Sequence, residues 1–156
     1  MAVNTTSMAT NATLHCLTGC AIGEITGLII GTIFGLSNLL TIAISIGLAF
    51  LFGYTLSTLP LLKAGLTVAT AFTVVLAADT LSILTMEIVD NSIMAVIPGA
   101  MNAGLVNPVF WLAMPFSLAV AFLVAVPVNK YLLERGKGHA LVHKYHHGHS
   151  DHGDHK

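Results

Sequence analysis

Four residues early in the chain, His15, Cys16, Cys20 and Glu24, carry side chains able to bind a metal. Thiolate, imidazole and carboxylate together suit a soft or borderline ion such as Cu(I) or Zn(II). Cys16, Cys20 and Glu24 recur at every fourth position, which places them on one stripe of a helix with His15 beside its end. The plain alternative is that the cysteines are small buried apolar residues and that His15 sits at headgroup level. A second group lies further on: Asp79, Met86, Glu87, Asp90, Asn91 and Met94 share one broad face if their helix continues past residue 90. Asp79 could relay protons or coordinate an ion in transit, or simply hydrogen-bond a neighbouring helix. Glu87, Asp90 and Asn91 are expected to form a solvated rim. A third group is the histidine series His139, His143, His146, His147, His149, His152 and His155, interspersed with Asp151 and Asp154. Such spacing can wrap Zn, Ni, Co or Cu. It could equally make a solubilising tail whose charge rises as pH falls through about 6.5.

The elements that position these residues follow from composition. Of 156 residues, 55% are hydrophobic and 8% charged. A soluble domain carries about 25% charged residues, so most of this surface must face something other than water. Four apolar stretches, at 14–36, 39–60, 62–86 and 109–132, each approach the roughly 20 residues that cross a bilayer. The expected fold is all-α: a polytopic membrane bundle of about four transmembrane helices. A short polar N-terminus (1–13) precedes the bundle (14–132), and a disordered histidine-rich tail (133–156) follows it. Residues 1–14 hold no Lys or Arg, so no cleavable leader is expected. Leu36-Ser37-Asn38 forms the first tight turn, and Pro60 marks the second, because proline interrupts a helix interior. The stretch 87–108, with Pro98-Gly99, is too apolar for an ordinary loop and reads as a re-entrant segment, an interfacial segment or a short fifth helix. Asn102 and Asn107 are turn or cap residues, and Trp111 is an interfacial anchor.

Small residues should bring these helices together. Gly19, Gly23, Gly27, Gly31 and Gly35 stand four apart in the first span. Each costs about 1 kcal/mol relative to alanine in a helix, and in lipid the return is close backbone approach. Gly65, Ala69, Thr73 and Ala77 form a matching face in the third span, and Ala113, Ser117, Ala121 and Ala125 in the fourth. These faces are expected to meet within one chain, with a homo-oligomer or larger membrane complex as the other arrangement.

All six cations, Lys63, Lys130, Arg135, Lys137, Lys144 and Lys156, fall in the second connection or after the fourth span. Positive residues stay on the cytoplasmic side. Four spans with both termini cytoplasmic satisfy that rule, in the inner (plasma) membrane. A net charge of −1 offers no field for nucleic acid.

The run His15-Cys16-Leu17-Thr18-Gly19-Cys20-Ala21-Ile22-Gly23-Glu24 resembles the start of a family of small bacterial membrane proteins classed only as a domain of unknown function. Pro98-Gly99 and Phe110-Trp111 are similar too, and the likeness spans about 14–132. It implies a helical membrane fold and draws attention to the first-helix residues, and it implies no activity.

The leading functional expectation is an integral membrane protein that binds or transports a transition metal ion (Cu, Zn or Ni) through Cys16, Cys20, Glu24 and Asp79, with the tail gathering the ion. The alternative is a non-transporting structural or accessory subunit. No nucleophile–base set, phosphate loop or cofactor motif is present, so no enzyme activity is expected.

Overall fold

The computed structural model describes residues 5–135. Four long helices follow one another: α1 (Thr5–Phe34), α2 (Asn38–Lys63), α3 (Val68–Val96) and α4 (Pro108–Glu134), with one 3-10 turn at Ala100–Asn102 between α3 and α4. Each is long and apolar enough to cross a membrane, and no more than 33% of any span is buried by the others. The remaining surface is aliphatic and aromatic, including Leu39, Leu112 and Leu123. Such faces are stable against lipid and not against water. The chain is a multi-pass helical membrane protein.

α1 begins at Thr5, well before the apolar run at residue 14. The reason is local. The Thr10 hydroxyl donates to the Thr6 carbonyl (2.8 Å), Thr13 to Ala9 (2.7 Å) and Thr18 to Leu14 (2.8 Å). Hydroxyls satisfied on the preceding turn do not end a helix. α1 closes at Gly35, whose φ of +60° lets the Leu36 N–H reach the Gly31 carbonyl at 2.9 Å. Gly65, at φ +93°, closes α2 in the same way, with Leu66 N–H on Leu61. Both glycines, expected in packing stripes, therefore cap helices. Pro60 does not end α2, which continues to Lys63.

α1 lies along α2. A β-carbon at Gly19 would come within 2.5 Å of the Gly53 Cα, and those at Gly23, Gly27 and Gly31 would strike Ala49, Ser45 and Thr41. Only glycine allows this approach. α3 and α4 complete the bundle: each packs on its sequence neighbour, α4 returns to α1, and α1 and α3 meet across the centre. Ala113, Ser117, Ala121 and Ala125 are buried as expected. The corresponding face of α3 is not: Ala69, Thr73 and Ala77 point outward. α3 turns Val75, Ser82, Ile83 and Met86 inward instead.

The stretch 87–108 is neither re-entrant nor a fifth span. Residues up to Val96 extend α3, and the rest is a connection folded over the end of the bundle. Asn107 starts α4 by accepting from the Val109 N–H at 2.9 Å, with Pro108 in the first helical position. Trp111 donates from Nε1 to the Leu105 carbonyl at 2.7 Å.

Candidate functional site

Polar side chains inside the bundle fall into two layers along α1 and α3. The first lies towards the chain termini. Asn129 on α4 donates through Nδ2 to Thr13 Oγ1 on α1 (2.7 Å) and to Ser82 Oγ on α3 (2.9 Å). All three side chains are buried. An amide inserted between two helices and satisfied by both ties three helices together at little polar cost. Cys16, fully buried, neighbours Ser82, Ser57 and Asp79 in this layer. Asp79 in turn lies beside Ser57 and within electrostatic range of His15. His15 itself is on the outside of α1, with its Nδ1 2.8 Å from the Asn11 carbonyl.

The second layer is acidic. Cys20 and Glu87 are adjacent, and Glu24 lies within electrostatic range of Glu87 and Asp90. Glu87 and Asp90 are only 7% and 5% exposed, so they are interior groups rather than the expected solvated rim. The correction follows from geometry: α3 continues as a helix through this stretch, and Asp79, Ser82, Met86, Glu87 and Asp90 all fall on its inward face. Asn91 donates through Nδ2 to the Glu87 carbonyl (2.9 Å) and to Glu87 Oε2 (3.3 Å). The Ser117 hydroxyl of α4 donates to Asp90 Oδ1 at 2.6 Å. Among the described residues, the groups that act on Glu24, Glu87 and Asp90 are one another, Cys20, Asn91 and Ser117, with no cation among them. Three carboxyl groups within electrostatic range of one another in hydrocarbon need protons or a nearby cation to balance them.

A cavity of about 350 Å³ reaches this layer from the end of the bundle where the α1–α2 and α3–α4 connections lie. Glu24, Glu87 and Asn91 line its inner part, and Asn38, Asn102 and Gly104 its outer part. Oxygen donors therefore face the cavity, while Cys16 and Cys20 sit behind them in the packed core with Ile83, Met86 and Ala121.

The stripe Cys16, Cys20 and Glu24 thus points into the bundle as its spacing implies, but its members divide between layers. Cys16 joins Asp79, whereas Cys20 and Glu24 join Glu87 and Asp90. His15 is not brought in. Among the described residues, no three His, Cys, Asp or Glu side chains converge closely enough to hold a metal ion. His139, His143, His146, His147, His149, His152 and His155 lie outside the described residues. Thr13, Ser82 and Asn129 escaped the sequence reading, and Ser117 appeared in it only as a packing residue, not as a donor to Asp90. Asn129 carried the one usable signal, an amide one residue before the Lys130 that closes an apolar span.

A family model described as a domain of unknown function (DUF4396) matches residues 5–138. No curated protein and no solved structure matches the chain.

Proposed function

Since the chain belongs to the DUF4396 family, whose description carries no activity, we propose a function from its own residues: a membrane protein that binds or transports a transition metal cation of the copper or zinc class. The observation that carries this reading is the uncompensated set Glu24, Glu87 and Asp90 beside Cys20, reached by a cavity from one end of the bundle. The cation enters against the oxygens of Glu24 and Glu87, meets Cys20 next, and continues past Cys16 and Asp79. The histidine tail gathers or buffers the ion. The chain performs no chemistry in this reading. Lys63 closes α2, Lys130 lies near the end of α4 and Arg135 directly follows it, all at one end of the bundle. That placement supports cytoplasmic termini and residence in the inner (plasma) membrane.

Elemental analysis of purified full-length protein tests the proposal beside a tail-deleted form, Cys16→Ser/Cys20→Ser, and Glu24→Gln/Glu87→Gln. Metal retained without the tail but lost in either double variant supports a route within the bundle. Metal lost with the tail alone, or absent from every form, overturns it.

A second reading, an accessory subunit of a larger membrane complex, draws on the outward face of Ala69, Thr73 and Ala77, which has the small residues of a helix interface and no partner within the described residues. Stoichiometric partners in a gentle membrane pull-down, lost when Ala77→Phe is introduced, would favour it.

A further inference from the structure

We propose that the connection 97–107 is a hinged lid over the acidic cavity, latched by the Asn38–Asn102 hydrogen bond, and that it governs access of water and cations to Glu24 and Glu87. The proposal takes from the metal reading only the cavity as the route; it holds for any cation, including a proton.

The lid has a position, two fixed ends, hinges and a latch. Ala100, Met101, Asn102, Ala103 and Gly104 form the wall of the cavity at its outer end. On one side the segment is anchored where Ile97 N–H bonds the Ile93 carbonyl and closes α3. On the other, Trp111 Nε1 holds the Leu105 carbonyl and Asn107 caps α4. The stretch between these anchors contains Gly99 and Gly104. Gly99 stands at φ +81°, where other residues are strained, and a side chain at either glycine would meet nothing within 4 Å. Glycine has the widest backbone range of any residue, which puts the hinges at these two positions, held in the closed form by Asn102 N–H on the Gly99 carbonyl and Asn107 N–H on the Gly104 carbonyl.

The inner face of the segment rests on α3 and α4. Ala100 and Ala103 are buried with Met94, Phe110 and Met114. Towards α2 its only side-chain hydrogen bond among the described residues is from Asn38 Nδ2 to Asn102 Oδ1, 2.6 Å long and solvent-exposed. Asn38 begins α2, immediately after the cap Ser37. Both asparagines line the cavity, so the bond spans its outer part. A neutral bond on an exposed site adds a modest stabilisation, small enough to form and break without disturbing the helices beneath. Towards the opposite end the polar bridge from Asn129 to Thr13 and Ser82 is buried between helices, and the exposed Tyr54–Thr80 bond joins two helices rather than a connection.

Labelling of a cysteine inside the cavity reads the lid directly. Asn91→Cys, in full-length protein with Cys16 and Cys20 changed to serine, is reacted in proteoliposomes with a charged, membrane-impermeant methanethiosulfonate. Asn38→Ala or Asn102→Ala should raise the labelling rate about fivefold to tenfold, the order set by loss of one exposed hydrogen bond. The double variant should do no more than either alone. Asn38→Asp with Asn102→Lys, which replaces the amide pair by an ion pair, should return the rate towards the parent. A cysteine at Val106, already 98% exposed, should label equally in all forms. If Asn91→Cys disturbs assembly by size-exclusion profile, Ser45→Cys in the same cavity serves as reporter. Rates indifferent to both latch variants, or a reporter that no variant exposes, would overturn the lid. Metal content is not read here, so a working lid on a protein that holds no metal would refute the metal reading alone.

Discussion

The two polar layers of the bundle differ in how far their groups satisfy one another. Thr13, Asn129 and Ser82 form a closed set: the amide donates twice, and the Thr13 hydroxyl donates in turn to the Ala9 carbonyl at 2.7 Å. Cys20, Glu24, Glu87 and Asp90 form an open one, rich in acceptors, poor in donors and connected to a cavity. A satisfied polar group in hydrocarbon fastens helices, whereas an unsatisfied acid there is retained for what it binds. The same helices carry both, and depth in the bundle separates structure from function.

The largest disruption of this contrast would come from forcing α1 and α2 apart, since both layers depend on their spacing. Gly23→Leu places a side chain into the backbone at Ala49. It should destabilise the bundle by about 3 kcal/mol or more, read as loss of a monodisperse species in mild detergent. Next comes the closed layer. Asn129→Ala removes two buried bonds between helices, each worth about 0.6–1.7 kcal/mol in a membrane protein. A loss of about 1–3 kcal/mol should appear as a lower thermal midpoint, with bound metal unchanged. Ser117→Ala, which takes the donor from Asp90, should cost about 1 kcal/mol and also alter metal content, because it touches the open layer. Smallest in stability is Glu24→Gln. Glu24 is half-buried and no side-chain hydrogen bond reaches it among the described residues, so the midpoint should move by less than about 0.5 kcal/mol equivalent while metal retention falls. If Asn129→Ala emptied the protein of metal, or Glu24→Gln unfolded it, the division between the layers would fail.

Much of this architecture was legible in the residues. Four apolar runs became four helices, and the spacing of Cys16, Cys20 and Glu24 turned all three towards the interior. Hydropathy, however, measures what faces lipid, and it misplaced whatever faces inward. The polar turns from Thr5 to Thr13 read as a tail because a threonine bonded to its own helix cannot be told from one facing water. Glu87 and Asp90 read as a rim because acids usually mark an exit from the membrane, yet α3 runs on through them to Val96. The glycines show the same limit. Gly19 to Gly31 pack on α2, whereas Gly35 and Gly65 adopt left-handed conformations that end helices. Spacing alone cannot separate the two roles. Nor could it show that Ala69, Thr73 and Ala77 would face away, because the rotation of α3 is set by Ile83 and Met86 filling the centre beside Cys16 and Cys20.

The cavity also has an electrical consequence. When water fills it down to Glu24, the transmembrane voltage no longer falls evenly over the whole bilayer but concentrates on the dry, packed part of the bundle beyond that water. Glu24 and Thr13 are separated by 11 positions of α1, about 16 Å at the helical rise. A charge moving from that water through the packed helices would feel most of the roughly 2.3 kcal/mol that 100 mV exerts on a full crossing, and this stretch of α1 carries part of that drop.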